Sequence, residues 1–199
     1  MSHDPLPDSV PDEDLLRRIV AGDAAAFTAL FRRRQSDVYR FALHMTGLPA
    51  VAEDVTQDVF LALIKDAGRY DASRATVKAW LAGIARNHSL RRLERDRGTV
   101  PLDDDHDVPE TAVDLDPLDA LTRSERIEGL RKAILTLPVA YREAVVLCDL
   151  EELTYAEAAA ALECAVGTVR SRLHRGRALL GMKMRVEERA PQRISRCLA

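Results

Sequence analysis

Residues 154–180 read TYAEAAAALECAVGTVRSRLHRGRALL, a run of small side chains that turns within a few positions into one crowded with arginine. Thr154 followed by Glu157 is a capping-box pattern, in which hydroxyl and carboxylate satisfy each other's orphan amides at a helix start. A helix is therefore expected from Thr154 through the alanines to Leu162, with a break near Glu163, Cys164 and Ala165 and a second helix from about Val166. Two short helices joined by a three- or four-residue turn, crossing steeply, need small residues where they approach. The alanines supply them. Val166, Val169, Leu173 and Leu180 fall at core spacing on the second helix, which leaves Arg170, Ser171, His174 and Arg175 towards solvent. In a helix-turn-helix this is the half that enters the major groove, where arginine bonds guanine in bidentate fashion and other cations meet phosphates.

Outward from this motif the chain continues to read as helix. Ile127, Leu130, Ile134 and Leu137 mark one helix ended by Pro138, and YREAVVLCDL marks a shorter one. In the first half, Phe27, Leu30 and Phe31 share a face that Val38, Phe41, Ala42 and Met45 continue, and Gly47 and Pro49 stop the run. AVAEDVTQDVFLALIKDA then places Val51, Val55, Val59 and Leu63 on a buried stripe and turns Asp54, Gln57, Asp58 and Lys65 elsewhere. After the loop GRYDASRA, Val77, Trp80, Leu81, Ile84, Ala85 and His88 form a core side, while Asn87 and Arg91, four apart, share another face. Strand-like alternation is absent, so the fold class is all-α.

The formal charge of −3 conceals a strong segregation. Residues 98–120 carry eight carboxylates and no Lys or Arg, residues 168–185 carry six basic residues and no carboxylate, and residues 86–97 hold five arginines against two acids. The acidic stretch, with Pro101 and Pro109 and little apolar surface, is expected to be a flexible linker between two small helical domains. No apolar run approaches the ~18 residues that would cross a bilayer, and the N-terminus is acidic and proline-broken, so no membrane insertion and a cytoplasmic location are expected. Cys148, Cys164 and Cys197 lack metal or dithiol spacing; the first two lie in apolar stretches and read as buried thiols. Five scattered histidines and the lack of hydrolase, metalloprotease or phosphate-loop motifs argue against an enzyme, a metal or a cofactor.

The quoted string closely resembles the promoter-reading helix-turn-helix of bacterial σ70-class transcription initiation factors of the extracytoplasmic-function (ECF) type, with the Val166–Arg175 run as its most specific part. Two departures stand out, since the family usually has Gly at position 163 and Pro at position 165. In the first half, AEDVTQDVFLALIKD resembles the σ helix that docks on the β′ clamp of RNA polymerase. The resemblance makes Asp54, Gln57 and Asp58 polymerase-binding and Phe60 core. RATVKAWLAGIARNHSLRRLERDR resembles the segment that opens DNA at the −10 element. It implies a base-pocket loop at 71–76, with Arg74, base-reading Asn87 and Arg91, and phosphate contacts from Lys78, Arg86, Arg92 and Arg95. Trp80 and His88, at the spacing of the buried stripe, are read as packed groups.

The expected organisation is an N-terminal extension (1–23), a σ2-like helical bundle corresponding to region 2 (24–97), a flexible acidic linker (98–124), a σ4-like helix-turn-helix corresponding to region 4 (125–183), and a loose basic C-terminal tail (184–199). The implied partners are core RNA polymerase, through its β′ clamp and β subunit, promoter DNA, and an anti-σ factor. The implied function is to direct polymerase by reading the −35 duplex and the melted −10 element. The alternative is a helix-turn-helix regulator that acts without polymerase docking.

Overall fold

The computed structural model describes residues 10–97 and 127–196; the acidic linker, the extreme N-terminus and Cys197 lie outside them. Among the described residues the architecture is helical throughout. The first unit comprises α1 (Asp12–Val20), α2 (Ala24–Thr46), α3 (Pro49–Asp66) and α4 (Val77–Arg97), with a 3-10 turn at Ala67–Arg69. The second comprises α5 (127–135), α6 (Val139–Val145) followed by a π-helical turn (Val146–Leu150), α7 (Tyr155–Ala161) and α8 (Val166–Arg196).

Local chemistry sets the helix boundaries. The Asp23 carboxylate caps α2 by accepting from the amides of Ala25 (2.8 Å) and Ala26 (3.1 Å), and the Ala26 bond is the first cause of its lowered pKa. At the other end Gly47 adopts φ +77°, a left-handed C-cap that closes on the Leu43 carbonyl. Pro49 stands in the first turn of α3, where its missing amide costs nothing.

Helix α1 falls in the stretch expected to be an extension, yet it is packed into the first unit. Leu15 and Leu16 are buried, and Asp12 is held by Arg33 Nη1 and Arg34 Nη2, each at 2.6 Å. Phe27, Phe31 and Phe60 join α2 to α3 edge to face, with Phe31 and Phe60 centroids 4.7 Å apart. Phe60 is thus a core residue, as its resemblance implied.

In the second unit the capping box forms as expected, with Glu157 Oε2 accepting from the Thr154 amide at 2.9 Å and Thr154 Oγ1 from the Glu157 amide at 3.3 Å. Helix α8 continues as one helix through Arg196, so the stretch expected to be a loose tail is helical along most of its length. Arg142, almost fully buried, donates to the carbonyls of Leu135 and Leu137 and, at 2.5 Å, to that of Met45, placing a cation where two helices end.

The two units do not stand apart as two domains on a tether would. One apolar cluster runs through both, joining Phe41, Leu63 and Leu81 of the first to Ile134, Leu147, Leu153, Leu162 and Val169 of the second. Helix α4 packs on α2 and α3 with one side and on α7 with another. That explains why Ala79 and Ser89, off its expected stripe, are fully buried.

Candidate nucleic-acid and polymerase interfaces

The turn between α7 and α8 bends at Glu163, which takes φ +50°, a conformation that favours glycine. This is the position where the family pattern carries Gly, and a non-glycine residue there costs about 1 kcal/mol. Beyond the turn Val169 and Leu173 are buried, so Arg170, Ser171, His174 and Arg175 all stand exposed on the N-terminal half of α8. Val166, expected in the core, stands at the first residue of α8 and is 36% exposed instead. The Arg170 guanidinium sits 5.6 Å from the centre of the Tyr155 ring, a cation–π contact that restrains it at the mouth of the motif. Arg177, about two turns on, forms a two-pronged bond to Asp149, with Nε at 3.0 Å, and so ties α8 to the π-helical turn.

On the first unit, Asp54 and Gln57 are exposed and Asp58 is partly so. Leu61 (55% exposed) and Ile64 (54%) continue the same stripe. Sequence reasoning passed over these two, although the spacing 54, 57, 58, 61, 64 is helical and marks a mixed acidic and apolar face.

The loop before α4 is shaped by Asp71, which accepts from the Ser73 amide (2.9 Å) and hydroxyl (2.7 Å); the hydroxyl bond leads the causes of its lowered pKa. Tyr70 donates to the Ala75 carbonyl at 2.9 Å, and its ring lies 5.5 Å from that of Trp80, which is half-buried against the core. Arg74, Asn87 and Arg91 are exposed, and Arg74 and Asn87 line a cleft of about 860 Å³ whose far wall is Glu163, Cys164 and Ala165 of the helix-turn-helix turn. Cys164 and Cys148 are half-buried rather than buried, and burial raises the Cys148 thiol to about 11.

Arg92, expected as a phosphate contact, is paired here with two carboxylates of α3. Its Nη2 lies 3.0 Å from Asp58 and its Nη1 3.2 Å from Asp54, with His88 Nδ1 3.4 Å from the same Asp58 oxygen. The Asp58 hydrogen bond is the leading cause of the raised pKa of Arg92. The turn of α4 between Asn87 and Arg92 carries the two residues to opposite faces, so Arg92 is grouped with the carboxylates of α3. No group of His, Cys, Asp and Glu able to hold a metal occurs among the described residues, and none of the described helices is long and apolar enough to cross a membrane.

A family model described as Sigma-70 region 2 matches residues 30–99, and one described as Sigma-70, region 4 matches residues 127–180. The ECF RNA polymerase sigma factor SigM of Mycobacterium tuberculosis is 37% identical over 173 residues, covering 85% of this chain and 82% of its own. The chain belongs to the ECF sigma-70 family. SigE of Mycolicibacterium smegmatis is 38% identical over 163 residues, of which this chain spans 62% of the relative's length. Among solved structures, that of CnrH in complex with the cytosolic domain of CnrY is 25% identical and covers 88% of this chain and 97% of that one, with a TM-score of 0.67. The sigma factor RpoE of Bartonella quintana, in complex with the anti-sigma factor NepR, gives a TM-score of 0.64 at 25% identity, covering 80% of this chain and 97% of its own. The region 2 match precedes the region 4 match along the chain, and an ECF sigma factor is a transcription initiation factor that directs RNA polymerase to promoters.

Proposed function

We propose that this ECF sigma factor divides promoter recognition among three surfaces. Arg170, Ser171, His174 and Arg175 read the −35 duplex from the exposed half of α8. Arg74, Asn87 and Arg91, with phosphate contacts from Lys78 and Arg86, engage the opened −10 strand. Asp54, Gln57 and Asp58, extended by Leu61 and Ile64, dock on the polymerase clamp, and Arg92 serves that face by holding its carboxylates. The protein carries no reaction of its own and works in the cytoplasm, where an anti-sigma factor is its natural antagonist.

The observation that supports this division most directly is that Asp58 and Asn87 project from different helices and line different surfaces. Their losses are therefore separable. Asp58→Arg puts a cation against whatever basic groove the carboxylate meets, and like-charge contact at an interface costs several kcal/mol. Gln57→Arg, exposed on the same face and outside the Arg92 pair, makes the same test without a new repulsion inside the fold. Both variants should lose core polymerase in a binding assay. Asn87→Ala should assemble holoenzyme normally yet lose permanganate reactivity of −10 thymines. If Asn87→Ala opens promoters as well as the parent, or both α3 variants keep full polymerase affinity, the division is wrong.

A further inference from the structure

Arg170 and Arg177 lie about two turns apart along one side of α8. The fold engages them in different ways. Arg177 gives Nε and Nη2 to the two carboxylate oxygens of Asp149, so its hydrogen-bonding edge is spent inside the protein. Among the described residues Arg170 has no carboxylate partner; its guanidinium carbon lies 5.6 Å from the centre of the Tyr155 ring instead. That is within the ~6 Å over which the negative face of an aromatic ring attracts a cation. Tyr155 is the first residue of α7, directly after the Thr154 N-cap, and the capping box between Thr154 and Glu157 fixes the backbone that carries the ring. Arg170 is exposed and Tyr155 is 38% exposed, so the pair stands on the surface of the helix-turn-helix rather than in its core.

The kind of partner decides what each arginine has left to offer. A guanidinium carries its five N–H donors in one plane, along its edge. A carboxylate takes that edge, as Asp149 does for Arg177, and on a DNA-facing surface it also sets a negative charge against the phosphates. An aromatic ring attracts the charge through its quadrupole, which leaves the donors for the O6 and N7 acceptors of a guanine. An arginine that is already restrained also gives up less rotamer freedom when it bonds a base edge.

We propose that Tyr155 is a specificity-determining positioning residue for the −35 duplex, holding Arg170 by its charge with the guanidinium edge free for one guanine. The proposal rests on Arg170 being a reader of that duplex, as assigned above. Tyr155 touches no base in this role. Its effect falls on the matched site, where Arg170 makes its two bonds, and not on a site with another base at that position, where no such pair forms. Loss of the ring therefore lowers discrimination at one position and leaves non-specific binding, which phosphate contacts set, unchanged.

The test uses holoenzyme reconstituted with the full chain and a library of randomised duplexes sequenced before and after selection. Arg170→Ala identifies the position that Arg170 reads, as the one where a guanine preference is lost. At that position Tyr155→Leu should lower the guanine preference about two- to fivefold, the range for cation–π pairs at exposed sites. Preferences elsewhere and affinity for unselected duplex should stay as in the parent. Tyr155→Phe keeps the ring and should keep the parent's preference. Tyr155→Leu/Arg170→Ala should discriminate no worse there than Arg170→Ala alone, because the ring acts only through the arginine. An undiminished guanine preference in Tyr155→Leu would overturn the proposal. So would a loss in Tyr155→Phe as large as that in Tyr155→Leu, which would assign the effect to the hydroxyl, or an equal loss at every position with a lowered Tm, which would make Tyr155 a structural residue. An Arg170→Ala holoenzyme with the parent's preference at every position would instead refute Arg170 as a base reader, and the proposal would fall with that assignment.

Discussion

At Gly83, which faces Ala161 across the seam between α4 and α7, substitution size should decide whether the units stay together. An added Cβ there lies 3.4 Å from the Ala161 carbonyl oxygen and 3.6 Å from its Cα, an ordinary contact. Gly83→Ala is therefore accommodated, and it gains about 0.8–1.0 kcal/mol of helix propensity in α4. Gly83→Val carries its γ carbons about 1.5 Å beyond the Cβ. A β-branched side chain in a helix has one strongly preferred χ1 and cannot swing aside freely. Overpacking of this kind costs about 1–3 kcal/mol, against a propensity gain of only a few tenths. Each 1.4 kcal/mol is a factor of ten, so the closed population relative to the open one should fall about five- to hundredfold. Small-angle scattering of the free chain should report an unchanged radius of gyration for Gly83→Ala and a larger one for Gly83→Val, with equal helical content by circular dichroism. A Gly83→Val protein as compact as the parent would refute the argument, since the contact would then not be what sets the approach of the two units.

Thr154→Ala removes one side of the capping box and should cost about 1 kcal/mol, lowering Tm by about 2–4 °C for a chain of this size; an unchanged Tm would show that α7 does not depend on its cap. His44 should make stability depend on pH: burial first, then the charges of Arg131 and Arg40, hold its folded pKa below the ordinary 6.5. The neutral imidazole is thus the form the fold prefers, so its contribution is complete above pH 6.5 and is lost as pH falls through the folded value. Urea midpoints at pH 7.5 and 5.5 should differ more for the parent than for His44→Gln, and equal differences would assign the pH dependence to other groups.

The helix-turn-helix was legible because its signals are local. A capping box, a run of alanines and a turn three residues long are written within one stretch, and Val169 and Leu173 leave only one face for Arg170 and Arg175. The first unit was nearly as legible, since the stripe of Val55, Val59 and Leu63 needs only helical periodicity. The closure of the two units was not. It depends on Gly83 meeting Ala161 and on Glu143 meeting Arg86, pairs far apart in the sequence, and nothing in the spacing of either partner announces the other. Only the structure shows that α4 carries buried residues off its expected stripe, as Ala79 and Ser89 do. The pairing of Arg92 was hidden for a related reason: helical phase separates it from Asn87, but its partners Asp54 and Asp58 lie on a neighbouring helix.

If Asp58 docks on the polymerase clamp as proposed, Arg92 also links that face to α4 thermodynamically. Asp58 accepts from Arg92 and lies within reach of His88, so it already has cationic and polar partners on α4 before any polymerase arrives. A basic group of the clamp that takes Asp58 must do so against Arg92, and the net gain is the difference between two ion pairs rather than the full strength of one. The exchange frees Arg92, whose guanidinium then seeks another anion. Linkage makes the effect reciprocal: an anion that draws Arg92 away from Asp58 raises the affinity of Asp58 for a cation by the same factor that clamp binding raises the affinity of Arg92 for the anion. A phosphate near this end of α4 and a cation on the clamp therefore favour each other across the breadth of two helices, with no change of fold required.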